Sequence, residues 1–176
     1  MSRNPARESV FKAWLDAYPG IISKVTRSFA RSSEDAAELR QEIELHLWDS
    51  VAAFSGAAKE STWIYRVCLN TALAWRRGTD RRKATFELGV NLGNMAGDTA
   101  SPADLADRRD LLEQVYEAIR AMDAFDRALV LLMLDGLAYS EIAEVTGLTE
   151  NHVGVALTRA RQRLAKLMKG VIDEME

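Results

Sequence analysis

Residues 136–168 read GLAYSEIAEVTGLTENHVGVALTRARQRLAKLM, and this stretch decides the fold. Ile142, Ala143 and Val145 mark a short first helix. Gly147 follows at the place where a helix end favours a residue that takes positive φ. Thr149 is a candidate N-cap, with Glu150 in the first turn of the next helix, where the helix dipole favours an acid. That second helix carries Val153, Leu157, Ala160, Leu164 and Leu167 as one apolar stripe at the helical period. Asn151, Val155, Thr158, Gln162 and Lys166 lie opposite, flanked by His152, Arg159 and Arg163. One buried face and one hydrogen-bonding, cationic face suit a helix that enters a DNA major groove. The spacing predicts a helix-turn-helix whose DNA-binding residues are Asn151, His152, Val155, Thr158, Arg159 and Arg163.

The bulk properties exclude several classes. The 176 residues suffice for one domain or two small helical ones. No apolar run is long enough to span a bilayer, and MSRNPARESVFKAW at the N-terminus lacks the apolar core of a secretory signal. Cys68 is the one cysteine, so no intrachain disulfide forms and a reducing cytoplasm fits. His46 and His152 stand far apart without cysteines nearby, so no metal and no cofactor is expected. The net charge of −3 hides a segmental pattern: residues 61–84 carry +5, residues 85–151 carry −9 and residues 152–170 carry +5. Two short basic segments on an acidic chain, one inside a helix-turn-helix, favour nucleic acid over helix ends that merely complement their dipoles.

Residues 8–29 read as helix broken at Pro19-Gly20. A helix over 34–52 places Ala36, Leu39, Ile43 and Leu47 on one face and the acids Asp35, Glu38 and Glu42 on another. By itself such an acidic stripe is an ordinary solvated face. Residues 54–61 form a loop around Gly56, and a helix over 63–77 follows. Its second half interleaves Asn70, Trp75, Arg76 and Arg77, as single-stranded or melted nucleic acid requires, because cations track the backbone while rings stack on unpaired bases. The competing role for Trp63 and Trp75 is that of core anchors; Trp75, beside two arginines, is the one expected to be partly exposed. Residues 78–102 hold Gly89, Gly93, Gly97 and Pro102 and read as a linker, with at most a weak helical turn near residues 86–90. A long amphipathic helix to Met122, capped by Ser101 or Asp104, and a helix over 123–134 with Phe125, Leu129, Leu132 and Met133 buried would support the helix-turn-helix.

The expected fold is therefore all-α: two small helical domains joined by a flexible linker, the C-terminal one a helix-turn-helix. The expected boundaries are 1–80, a linker over 81–102, 103–170, and an acidic tail over 171–176. No phosphate loop, metal-ligand spacing or nucleophile signature is present in the sequence, so the chain reads as a binder and not an enzyme.

Three segments in order, DAAELRQEIELHLW (35–48), STWIYRVCLNTALAWRR (61–77) and GLAYSEIAEVTGLTENHVGVALTRARQRL (136–164), resemble the bacterial RNA polymerase sigma factors of the sigma-70 family, extracytoplasmic-function group. The likeness spans residues 10–168. It implies that residues 35–77 belong to region two and residues 113–168 to region four. Asp35, Glu38, Gln41 and Glu42 would dock on the clamp helices of the polymerase core. The loop 54–60 would receive a base flipped from the minus-ten element, and the helix through Asn70, Ala74, Arg76 and Arg77 would hold the opening non-template strand. Val155, Thr158 and Arg159 would read the minus-35 element, with Arg161 and Arg163 nearer phosphates or the adjoining helix. The expected partners are core polymerase, promoter DNA and the anti-sigma protein that typically holds free members of the group, with no membrane insertion.

The chain departs from the family pattern in three places. Gly154 and Ala156 stand where bases are frequent, Asp123-Ala-Phe125 replaces a proline turn, and Glu60 occupies a loop position where an aromatic is common. Fewer bases mean fewer phosphate contacts and a shallower salt dependence. Two other functions compete: a helix-turn-helix regulator that binds duplex DNA without polymerase, and an interaction protein whose DNA surfaces are vestigial.

Overall fold

The computed structural model describes residues 5–86 and 103–173, with side chains described over 5–79 and 111–169. Among these residues the regular secondary structure is all helical, joined by short loops. Helices α1 (Pro5–Ala17) and α2 (Pro19–Phe29) meet at Pro19, in the first turn of α2, where the missing N–H costs nothing. Helix α3 (Ser33–Ser50) starts at an N-cap, Ser32, whose hydroxyl accepts from Asp35 N at 3.1 Å, and it passes through a 3-10 turn at Val51–Ala53. Helix α4 (Glu60–Phe86) runs beyond the expected stop at Gly78. A single glycine costs a helix only about 1 kcal/mol, and Thr79 Oγ1 bonds Trp75 O across it at 2.9 Å. The weak turn expected near 86–90 and the cap at Ser101 lie outside the described residues.

The second group is α5 (Ala103–Ala121), α6 (Ala124–Leu134), α7 (Tyr139–Thr146) and α8 (Glu150–Asp173). Asp123 caps α6, accepting from Asp126 N at 2.9 Å, so an acidic cap stands where a proline turn was the alternative. In this first turn Asp126 points inward and Phe125 outward. Phe125 is 40% exposed, against the expectation that it is buried.

The two groups share a core. α6 packs on α2 and α4, α7 on α4, and α5 on α2. Trp14, Ile22, Phe29, Leu39, Ile43, Leu47 and Ile64 belong to the same apolar cluster as Leu129, Leu132, Ile142, Val153 and Leu157. Each such side chain, fully buried, contributes roughly 1.5–3 kcal/mol. A smaller cluster of Ile119, Met122, Val130 and Ala160 joins α5, α6 and α8.

The seam between the groups is also charged. Lys24 reaches Asp135 at 2.6 Å, Arg27 pairs with Glu113, and Arg120 holds the same Glu113 at 2.8 Å. Lys59, just before α4, pairs with Glu141 in the first turn of α7 at 2.6 Å. Buried Arg127 sits at the centre. It donates to Arg120 O and Met122 O, carbonyls that the end of α5 leaves without helical partners, and shares Ile119 O with the Met122 N–H. It also donates to Ser28 O at the end of α2 at 3.2 Å and lies over the Phe29 ring. One guanidinium, with five donors in a fixed fork, therefore serves two helix ends from different parts of the chain. No helix among the described residues is long and apolar enough to cross a membrane.

Candidate nucleic-acid and polymerase interfaces

The turn between α7 and α8 forms as its residues dictate. Gly147 has φ +75°, and its N–H donates to Ala143 O at 2.8 Å, closing α7. Thr149 O then accepts from Val153 N at 2.9 Å. Val153, Leu157 and Ala160 are wholly buried, so the face of α8 opposite them is turned to solvent. Asn151, His152, Val155, Thr158, Arg159, Gln162 and Lys166 are all exposed along it, as expected.

Two of the expected DNA contacts are already engaged. Thr158 Oγ1 donates back to Gly154 O at 2.9 Å, so its hydroxyl hydrogen is committed to the helix. Arg163 Nη1 binds Asp123 at 2.7 Å and also Asp126. Of the two places open to it, Arg163 takes the adjoining helix, where it joins α8 to the start of α6. Arg159 is the cation left on the centre of the face.

On α4 the buried arc is broad. Trp75 is 3% exposed and Arg76 7% exposed. The partial exposure expected of Trp75 is not found; in this arrangement its ring is a core anchor. The open edge of α4 instead carries Arg66, Asn70, Ala74 and Arg77. Arg66 belongs to the basic segment 61–84 and lies outside the expected site residues Asn70, Trp75, Arg76 and Arg77. Its spacing from Asn70 and Arg77, i, i+4 and i+11, puts the three on one face.

The loop before α4 is held by an aromatic cluster. Phe54 packs edge-on against Trp14 with ring centroids 5.3 Å apart and tilts against Trp63 at 5.6 Å. Ser55, Gly56 and Ala57 are exposed, with Gly56 at φ +77°. Glu60 is the first residue of α4, and its carboxylate accepts from Tyr18 Oη at 3.4 Å. Its acid thus lies toward the end of α1, at a helix start that favours negative charge.

On α3, Glu38 and Gln41 are exposed, while Asp35 and Glu42 are half-buried. Asp35 also accepts from Arg31 N at 3.1 Å, so part of its carboxylate closes the start of the helix. Leu45, 57% exposed, sits among these polar residues at i+3 from Glu42 and i+4 from Gln41. One apolar residue off the main stripe carries no periodic signal, so the sequence alone does not mark it.

Two titrations follow from the seam. Hydrogen bonds from Lys59 and from the Ala138 N–H hold the Glu141 carboxyl below its usual range. Burial alone would raise the Glu113 carboxyl, but hydrogen bonds from Arg120 and Arg27 outweigh it and hold the group below its usual range. Burial pushes the Cys68 thiol up to about 12, which makes it an inert core residue. Among the described residues no cluster of His, Cys, Asp and Glu could hold a metal.

The family models match this layout segment by segment. Residues 14–82 match sigma-70 region 2, and residues 112–164 match sigma-70 region 4. The chain belongs to the sigma-70 family, in the extracytoplasmic-function group of RNA polymerase sigma factors. The RNA polymerase sigma factor YlaC of Bacillus subtilis is 27% identical to it over 163 residues, 92% of this chain and 93% of that relative. The sigma-E factor of Escherichia coli is 24% identical over 147 residues, covering 80% and 77%. Among solved structures, RpoE of Bartonella quintana in complex with the anti-sigma factor NepR has a TM-score of 0.71. It is 20% identical, with 92% of this chain and 98% of that one covered. CnrH in complex with the cytosolic domain of CnrY has a TM-score of 0.64 at 20% identity, with coverage of 93% and 90%. These two likenesses concern the fold.

Proposed function

We propose that this sigma factor divides promoter recognition between the exposed faces of α8 and α4, with α3 as its attachment to polymerase. As a sigma factor it is a non-catalytic initiation factor: it binds core RNA polymerase, recognises the minus-35 and minus-10 elements and assists melting. The observation that carries the residue assignment is the solvent face of α8, with Asn151, His152, Val155, Thr158 and Arg159 aligned opposite a wholly buried stripe. That face takes the minus-35 duplex. Arg66, Asn70 and Arg77 on α4 track the non-template strand of the minus-10 element, and the loop 54–60 receives its extruded base. Opening a duplex costs a few kcal/mol, and a pocket for the unstacked base offsets part of it. Trp75 and Arg76 join that strand only when the packing around α4 changes, since both are covered in the closed arrangement.

Glu38, Gln41 and Glu42, with Asp35 at the helix start, dock on the polymerase clamp helices, and Leu45 supplies an apolar anchor among them. Among solved structures of similar fold, the sigma factor RpoE was captured with the anti-sigma factor NepR bound, and CnrH with the cytosolic domain of CnrY. By the same logic an anti-sigma protein holds this chain when it is idle. Transcription reconstituted from core polymerase, the chain and promoter DNA tests the division of roles. Glu38→Lys with Glu42→Lys should abolish polymerase binding, and Arg77→Ala should slow melting of a duplex promoter but not of one supplied already open. If the double charge reversal still binds polymerase, the α3 assignment is wrong.

A further inference from the structure

The reading face of α8 has an apolar centre. Val155 is 56% exposed and stands between Asn151, Thr158 and Arg159 on the helical wheel. Beside it Gly154 has no side chain, and the space is used by Tyr139, the first residue of α7. A Cβ built on Gly154 would lie 3.5 Å from the Tyr139 ring, which is itself 42% exposed. Ala156 offers no polar atom. Thr158 has committed its hydroxyl hydrogen to Gly154 O, and Arg163 is held by Asp123 and Asp126. What this face offers a base edge at its centre is therefore a valine, with Asn151, His152 and Arg159 around it.

A major groove presents one apolar group to such a surface, the 5-methyl of thymine. A valine held open at the centre of a groove-entering helix would otherwise leave apolar surface in water. We infer that Val155, held open at the centre of this face, selects thymine in the minus-35 element by contact with its methyl group. This rests on the placement of α8 in the minus-35 groove. It replaces the hydrogen-bonding and phosphate contacts that bases at 154 and 156 would supply with an apolar, salt-insensitive contact.

Uracil in place of thymine removes the methyl and leaves every hydrogen-bonding group, so it isolates the contact. The holoenzyme, assembled from core polymerase and the full chain, selects promoter DNA from a randomised minus-35 pool. Each thymine of the selected element is then replaced singly by uracil, and binding and initiation are compared for the wild-type chain and Val155→Ala. The expected result is one position where uracil weakens the wild type about fourfold, the worth of one buried methyl group. At that position Val155→Ala should be equally weak with thymine and uracil, while its response at other positions is unchanged. If no uracil substitution is coupled to Val155, or if the selected element holds no thymine, the inference is overturned although promoter-specific initiation stands. If the holoenzyme selects no sequence at all, the promoter-recognition reading fails instead.

Discussion

At the scale of single residues, two arginines carry opposite roles. Arg159 is exposed on the reading face of α8, so it is expected to contact a base edge. Arg159→Ala should cost ~1–3 kcal/mol of discrimination at one base pair and leave unfolding unaltered, measured by competition between promoter variants and by urea titration. Arg127 is buried and donates to carbonyls at the ends of α5 and α2. Arg127→Leu leaves Arg120 O, Met122 O and Ser28 O without that donor, while Ile119 O keeps the Met122 N–H, and each unsatisfied buried group costs about 1–3 kcal/mol. Urea unfolding should show a loss of about 3 kcal/mol or more. A loss below 1 kcal/mol would mean that water replaces the guanidinium freely.

At the scale of elements, two glycines of the helix-turn-helix separate backbone need from space. Gly147 sits at φ +75°, where a Cβ costs roughly 1–2 kcal/mol, so Gly147→Ala should lower stability by that amount. Gly154 is ordinary helix, and a Cβ there meets only the Tyr139 ring at contact distance, so Gly154→Ala should be neutral or stabilising by up to about 1 kcal/mol. Thermal unfolding of the two variants distinguishes them. The helix-turn-helix was legible because Gly147 and the 153–157–160 stripe each follow from a local rule. The α3 and α8 faces were legible for the same reason: exposure on an amphipathic helix is set by its own period. Trp75, Arg76 and Phe125 were not, because their burial or exposure depends on where distant helices pack. Arg163 shows the same limit, since its acidic partners lie 40 and 37 residues away. Gly78 misled for a third reason, because a lone glycine is too weak a signal to end a helix whose flanks continue.

At the scale of the whole molecule, the seam between the two groups decides what is available. It covers an apolar core and carries the pairs Lys24–Asp135, Arg27–Glu113 and Lys59–Glu141. Glu113 and Glu141 both have carboxyls held below their ordinary value of 4.5. A carboxylate depressed in the folded state contributes stability that is present above its ordinary value and is lost as pH falls through its lowered one. Attachment of the two groups should therefore hold at neutral pH and weaken progressively below about 4.5. These pairs are partly exposed, so salt should weaken them as well. Fluorophores on cysteines introduced at exposed Ser23 and Ala165 report the separation, because the buried Cys68 thiol stays unreactive. Separation that begins to increase well above that value would show that other groups govern the seam.

The same closed arrangement bears on function, because Trp75 and Arg76 are covered while the solvent face of α8 and the acidic face of α3, where the proposal places promoter and polymerase, are open. On the proposed roles, the initiation factor attaches through α3 and reads DNA through both groups. The most direct measurement is run-off transcription from core polymerase with and without the chain, on templates carrying intact, minus-35-disrupted and minus-10-disrupted promoters. The expected result is initiation at one start site that needs the chain and both elements, and that vanishes with Glu38→Lys and Glu42→Lys together. Footprinting of the same DNA by the chain alone, with no gain in initiation when polymerase is added, would contradict it.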